Sequence, residues 1–368
     1  MTEPIRILHV LGALNRGGAE TFIMNVYRNI DRKRVQFDFI IHTEEKCDYT
    51  DEIINMGGRI YSIPKYKGTN HYQYINRWRE FYNAHKEYKI VHGHMRSTAS
   101  IYLKIAKNFG IISIAHSHST SSGTGIAAIA KNLLQIPLKY RADFLFACSY
   151  DAGKWLFHNK VNSNNFFVVK NGIDVMKYVF DDKIRKKIRA EFEIDNDIFV
   201  IGHVGRFSCS KNHEFLVKIF FEYEKLDNKC KLLLVGKGPE IDSTREIVNK
   251  LKLTDKVIFA GVRDNVNEIL QAMDFFVFPS KFEGLGIVAI EAQATGLYCL
   301  VSDKVPNEVK VTSNVEFMAL ENGSKEWAYH IFKNKDYKRI NSTDSIIEAG
   351  YDIEKTSDFL LDTYLKFY

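Results

Sequence analysis

Two glutamates, Glu283 and Glu291, stand eight positions apart in PSKFEGLGIVAIEAQATG (279–296), separated by a glycine turn and the start of an apolar helical pattern. A carboxylate taken out of water without partners costs several kcal/mol. Glu291 on so apolar a helix therefore calls for donors, and a vicinal diol supplies two. At about 100° per residue, eight positions leave the two carboxylates about 80° apart around a helix. They would reach different parts of one ligand rather than share a face. Gly284 and Gly286 shape the turn, and the amides of Gly284, Leu285, Gly286 and Ile287 offer a phosphate seat at the positive end of the helix. A Glu291 facing water would need no ligand at all.

A second constellation lies in GHVGRFSCSKNHEF (202–215), where Arg206 and Lys211 follow a strand-like run and precede a helix. Arginine as a fork and lysine as a point charge can straddle a diphosphate. A pair of solvated loop cations is the alternative. In LNRGGAE (14–20), Gly17 and Gly18 would let backbone approach a ligand ahead of a helix. That turn lacks the G-x-G-x-x-G dinucleotide fingerprint, and a turn serving only the fold is the competing reading. VHGHMRST (91–98) and IAHSHST (114–120) each put two histidines beyond a strand end. No carboxylate stands at a fixed helical offset to complete a metal site, so hydrogen-bonding histidines are favoured.

The elements that must hold these groups alternate. Strand-like runs at 5–11, 36–42, 59–63, 89–94, 112–116 and 143–149 are separated by helical patterns such as 19–30 and 98–110. A polar, charged connector containing one helix follows VVKNGIDV (168–175). A second series runs through 199–205, 231–236, 256–261, 275–280 and 297–303, and the chain ends on the amphipathic TSDFLLDTYLKFY. Strand–helix alternation predicts parallel sheets covered on both faces. The fold class expected is α/β, two doubly wound Rossmann-like domains over 1–177 and 178–368 facing a central cleft, with a C-terminal helix returning toward the first. Ligands of such sheets bind beyond the carboxyl ends of the strands.

Length and composition agree with this. The chain has 368 residues, 45% hydrophobic and 26% charged, which suits two globular domains. No apolar run approaches the roughly 20 residues of a membrane-spanning helix. Its start shows neither a basic leader region nor a cleavage site. Five scattered cysteines without a C-x-x-C pair suggest a reducing compartment. The net charge of +6 is uneven, because residues 1–175 carry 23 Lys+Arg against 14 Asp+Glu. A basic first half suits anionic headgroups or a phosphorylated acceptor, or is a merely basic domain; nucleic-acid binding finds no support beyond this mild basicity.

Taken together, HVLGALNRGGAE, VVKNGID, GHVGRF…KNHEF, LLLVGKGPE and PSKFEGLGIVAIEAQATG resemble the retaining GT-B glycosyltransferases of family 4, particularly bacterial exopolysaccharide and capsule transferases. The likeness runs along nearly the whole chain, and the spaced glutamates E-x7-E are its most specific piece. It implies a nucleotide sugar, UDP-linked by expectation, seated on the C-terminal domain. Glu291 would bind the ribose hydroxyls, Glu283 the donor sugar, and Gly284 to Ile287 sugar and phosphate. Arg206 and Lys211 would neutralise the leaving diphosphate in place of a metal, with Gly17 and Gly18 contributing from across the cleft. Val262 and Arg263 would edge the base through their backbone. His116 resembles the family histidine near the donor sugar, though His118 two residues on leaves the alignment open. Leu285 stands where the family often has Phe, and KVPNEVKV replaces a glycine-rich run, with Glu308 nearby. No nucleophile for a double displacement is evident, which favours front-face departure and attack.

On the acceptor side, residues 72–88 and 121–141 each combine apolar and basic character. The first reads better as a helix packed on its own sheet; the second is ambiguous between core and lipid interface. The expectation is a cytoplasmic hexosyltransferase without cofactor or metal, acting at the inner membrane face on a lipid-linked saccharide in capsule or exopolysaccharide synthesis. A non-catalytic sugar-nucleotide-binding subunit that stabilises a partner transferase is the alternative. An NAD-dependent enzyme is disfavoured by the missing fingerprint.

Overall fold

Alternating apolar runs and amphipathic helices build two wholly parallel sheets. The computed structural model describes residues 3–119 and 126–368. One compact unit comprises Met1–Ile173 with Gly350–Tyr368, the other Asp174–Ala349. In the first unit the strands are β1 (Ile5–Val10), β2 (Val35–Ile41), β3 (Ile60–Ser62), β4 (Ile90–Gly93), β5 (Ile112–Ser117), β6 (Phe144–Ala147) and β7 (Phe166–Val168), in spatial order β3-β2-β1-β4-β5-β6-β7. The second unit holds β8 (Phe199–Val204), β9 (Cys230–Val235), β10 (Val257–Gly261), β11 (Phe275–Phe278), β12 (Tyr298–Ser302) and β13 (Val315–Met318), ordered β10-β9-β8-β11-β12-β13. Each order reverses once, between β1 and β4 and between β8 and β11.

Strand side chains alternate between two cores, as a period of two requires. Ile7, Phe37, Ile114 and Phe146 meet Phe22 on one face of the first sheet. Leu8, Val91 and Leu145 meet Trp78 and Tyr102 on the other. Both faces are covered, which is why these strands are apolar throughout. The helix His71–Ala84 buries Tyr74, Trp78 and Tyr82, and Trp78 stacks on Tyr102 with centroids 4.9 Å apart. Its aromatic stripe is thus spent on its own sheet, as the favoured reading of that segment had it, and not on lipid.

The short strands β7 and β13 fall in stretches read from sequence as polar or unassigned. Both are sheet edges, where one neighbour suffices and the apolar signal is weak. The second difference is the domain limit, drawn from sequence at 177/178 with the final helix counted in the second half. The helix Ile353–Phe367 instead belongs to the first unit. Its Leu360, Leu361 and Tyr364 bury in the same core as Phe22 and Phe37. Ile173 forms a parallel bridge with Asp352, which sets the helix in place. Among the described residues, no helix is long and apolar enough to cross a membrane.

The second sheet is fixed at its amino-terminal edge by charge. Asp274, just before β11, accepts from Arg185 and Arg189 at 2.6 Å each, and from the Val200 amide at 2.8 Å. Arg189 is itself buried and also donates to the Ala272 carbonyl at 3.1 Å. Removing one partner of such a pair strands the other charge at a cost of about 3–5 kcal/mol. Asp274→Ala should therefore lower unfolding stability by about that amount. A denaturation experiment showing a loss below about 1 kcal/mol would mean that Arg189 finds other acceptors adequate.

Candidate active site

The order reversal of the second sheet brings together the loops that leave β8 and β11. Two hydrogen bonds tie these loops: the Lys281 amide donates to the Ser210 carbonyl at 2.7 Å, and Asn212 Nδ2 to the Pro279 carbonyl at 3.1 Å. Asn212 adopts a left-handed φ of 58° to start the helix His213–Glu224. The result is an ion pair, Lys211 Nζ to Glu283 Oε1 at 2.7 Å, with both side chains mostly shielded from solvent. Lys211 also lies 4.6 Å from the centroid of the Phe278 ring. Gly286, at φ 89°, opens the helix Ile287–Ala294, which has no side-chain cap. A Cβ on Gly286 would come within 2.9 Å of Phe278, so the tight turn excludes any larger residue. The first amides of that helix thus end beside a lysine and a glutamate, a place suited to a phosphorylated ligand.

Glu291 lies on the same helix, half-buried. Burial pushes its pKa up to about 7, partly offset by a hydrogen bond with Tyr178 and by the charge of Lys211. Burial and the neighbouring Glu291 together hold the Tyr178 phenol well above its usual range, so it stays protonated and donates. A shift from 4.5 to about 7 corresponds to about 3 kcal/mol between ionised and neutral carboxyl. The folded pKa stands above the unfolded one. Ionised Glu291 therefore costs stability that grows as pH rises from about 4.5 to about 7. Ligand hydroxyls donating to it would offset that cost.

The remaining residues singled out by sequence are placed as follows. Arg206 is exposed on the loop that carries Lys211. Arg263 is committed: its Nε donates to the Ala260 carbonyl at 2.9 Å, and its Nη1 pairs with Glu191 at 2.8 Å. The exposed Val262 beside it leaves a backbone edge after β10. Leu285 is buried, so any role it has belongs to its amide. Glu308 sits in a short 3-10 turn, Asn307–Val309. Gly17 and Gly18 belong to the first unit, where they begin the helix Gly18–Asn29. A Cβ on Gly17 would strike Glu20 at 2.4 Å, whereas one on Gly18 would meet nothing within 4 Å. The fold itself does not demand glycine at 18.

His116 is also in the first unit, and it is buried in a chain of histidines at the carboxyl ends of β1, β4 and β5. Its Nδ1 lies 3.1 Å from His92 Nε2, and His92 Nδ1 lies 2.7 Å from the Tyr364 hydroxyl. His94 bridges His9 at 3.0 Å and His118 at 2.8 Å. Burial, with neighbouring charges, drives these rings below their ordinary pKa, His118 to about 3, and keeps them neutral. Of the pair left open by sequence, His118 keeps the partly exposed position.

Sequence reasoning missed Tyr178 and the buried His203, whose Nδ1 lies 2.9 Å from the Val277 carbonyl and whose pKa is held well below its usual value by burial and by the nearby His213 and Lys211. Nothing in spacing marked Tyr178, which lies 113 residues before Glu291. His203 lay in plain view in GHVG but reads as one more apolar-strand residue.

The family model described as glycosyltransferase family 4 matches residues 16–177, and that of glycosyl transferases group 1 matches 184–333. EpsF of Bacillus subtilis (strain 168), which bears a glycosyltransferase name, is 32% identical over 98% of this chain and 96% of its own. An Escherichia coli UDP-Gal:alpha-D-GlcNAc-diphosphoundecaprenol alpha-1,3-galactosyltransferase is 25% identical over 76% of each chain. Among solved structures, Anabaena HepE in complex with UDP-glucose superposes with a TM-score of 0.81 at 16% identity, over 98% of this chain and 99% of that one. With its two parallel-sheet units matched in turn by the two family models, and a full-length relative at 32% identity, the chain belongs to the GT-B glycosyltransferases of family 4.

Proposed function

We propose that this glycosyltransferase moves a hexose from a UDP-sugar, with retention of anomeric configuration and without a metal at the diphosphate, to a lipid-linked saccharide in surface-polysaccharide synthesis. The observation that carries the reading is the Lys211–Glu283 pair beside an uncapped helix start, with a destabilised Glu291 on the same helix. Support for UDP comes from HepE, solved with UDP-glucose. Support for the acceptor comes from the name of the Escherichia coli relative and from CapH of Staphylococcus aureus, a capsular polysaccharide transferase 22% identical over 98% of this chain and 99% of its own.

On this reading the ribose diol donates to ionised Glu291, and the helix amides and Lys211 take the diphosphate. Glu283 turns from Lys211 to a sugar hydroxyl. The bond from the anomeric carbon to the diphosphate oxygen breaks as Arg206 and Lys211 stabilise the charge developing on the leaving group. The acceptor hydroxyl attacks on the face the diphosphate is leaving. Its proton passes to a leaving-phosphate oxygen, so no enzymic nucleophile is needed. Transfer from a UDP-α-hexose should give an α-glycoside by NMR of the product; a β-glycoside would exclude this route. UDP-sugar binding with no transfer to any polyprenyl-diphosphate saccharide would favour the non-catalytic subunit.

Binding itself is tested by calorimetry with UDP-glucose, whose phosphates do not titrate near neutrality. Affinity should survive EDTA and weaken as pH falls below about 7, by up to about tenfold per unit, as Glu291 takes up a proton. Glu291→Gln should bind weakly and lose that pH dependence. An unchanged profile in the variant would remove Glu291 from the donor site.

A membrane-facing surface suits a lipid-linked acceptor. In the second of the two ambiguous segments, residues 121–125 lie outside the described residues, while the part from 126 onward forms the helices Ile126–Gln135 and Leu138–Arg141. Ile129, Leu133, Ile136 and Tyr140 are 53–65% exposed across these two helices and the turn between them, with Lys131 and Lys139 close by in sequence. The protein should pellet with anionic liposomes at low salt and release at high salt. Ile129→Ser with Leu133→Ser should abolish pelleting, and equal binding to neutral vesicles would rule out an electrostatic contribution.

A further inference from the structure

The Glu291 carboxyl is met by a segment that no motif in the sequence marked. Tyr178 closes the 3-10 turn Val175–Tyr178, which packs on the helix Ile287–Ala294 and puts its phenol in hydrogen-bond contact with Glu291. The phenol stays protonated, so its O–H donates and the carboxylate accepts. The backbone on either side of Tyr178 is clamped. Asn267 Nδ2 donates to the Lys177 carbonyl at 3.1 Å, and Gln271 Nε2 to the Val179 carbonyl at 3.2 Å. Gln271, fully buried, also accepts from the Asp181 amide at 2.7 Å. Both clamping side chains stand on the helix Val266–Ala272, just past the backbone edge at Val262 and Arg263.

We propose that Tyr178 is a positioning residue of the donor site: its clamped phenol keeps the Glu291 carboxylate charged and oriented, with acceptor sites left for the two ribose hydroxyls. The inference rests on the proposed grip of Glu291 on the ribose diol. A carboxylate offers about four acceptor sites, so one bond from Tyr178 leaves room for both hydroxyls. With two side-chain torsions and a pinned backbone, the phenol has little freedom to lose when the ligand arrives. Glu291 is thus supported before binding and not by binding alone.

Two groups support the anion against burial, Tyr178 by its hydrogen bond and Lys211 by its charge. Lys211 also pairs with Glu283 at 2.7 Å, so its charge is shared. Asp174, at the start of the turn, acts on the phenol and is itself paired with Lys177 at 2.8 Å. The other elements packed on the helix of Glu291 carry Glu308, the exposed Asp344 and Glu348, and Tyr298 and Cys299, which burial above all keeps protonated. All of these are the same in the native chain and in Tyr178→Phe, so a difference between the two reports the hydroxyl. Losing that O–H removes a donor that favours the charged form. Glu291 in the variant therefore takes up its proton at a higher pH than the value of about 7 in the native chain.

The test is calorimetry of the full chain with UDP-glucose from about pH 6 to about pH 9, a range that brackets the titration of Glu291 in both chains. Tyr178→Phe removes one oxygen, and the freed carboxyl can take up a proton, so the variant should fold, as circular dichroism checks. Its affinity should match the native chain at about pH 9, be about fivefold weaker at about pH 7, and have its midpoint about one unit higher. An unmoved midpoint, or a loss equal at every pH as a packing role would give, would overturn the assignment of Tyr178. Glu291→Gln separates the two readings. If it abolishes the native pH dependence, Glu291 is the titrating group, and the Tyr178→Phe midpoint alone decides. If it keeps the native profile, the donor reading fails and this inference with it.

Discussion

Every strand in both sheets runs parallel to its neighbours, and the chemistry of this protein depends on that constraint. Parallel pairing sends all the loops that follow strands to one edge of each sheet and buries both faces under helices. Polar side chains can then gather in number only at that carboxyl edge. At the point where strand order reverses, two successive loops diverge to opposite faces and leave a crevice. Lys211 and Glu283 meet there in the second unit, and five histidines collect at the equivalent edge of the first. The amino-terminal edge of the second sheet carries charge of another sort. The Asp274 network is closed on itself, each carboxylate oxygen bound by an arginine, and it serves stability.

The second unit holds its site under electrostatic tension. Lys211 and Glu283 satisfy each other in a setting that shields both, while the charge of Glu291 is supported by a hydrogen bond with Tyr178 and by the charge of Lys211 against a larger cost of burial. A carboxyl group with a pKa near 7 is poised to be ionised by donors that a ligand brings. Gly286 is turned into the left-handed region at an uncapped helix start, and the Arg263 side chain is committed to Glu191, so backbone amides and carbonyls are left open at both places. Backbone dipoles held by regular structure need little reorientation, the condition under which charge stabilisation is strongest.

Much of this was legible in the residues. The strand–helix rhythm gave both doubly wound sheets, since period-two apolar runs bounded by glycine and polar turns leave few alternatives. The spacing of Glu283 and Glu291 about a glycine turn, with Arg206 and Lys211 past another strand, marked the two loops that the structure brings together after β8 and β11. These are local facts of the chain, decided by residue type and short-range geometry. The stripe of Tyr74, Trp78 and Tyr82 was local too, yet its two meanings could be separated only by the sheet beneath it.

What the tertiary structure alone decided involves partners distant in sequence. The final helix joins the first unit because Leu360 and Tyr364 complete a core begun by Phe22 and Phe37, a match that no window of sequence contains. Lys211 pairs with Glu283, Tyr178 reaches Glu291, and His94 links His9 to His118 only because parallel strands from remote segments lie side by side. The sequence determined which groups exist and which strand end each one follows. The order of strands, a global solution to burying two sheets on both faces, determined which of those groups meet.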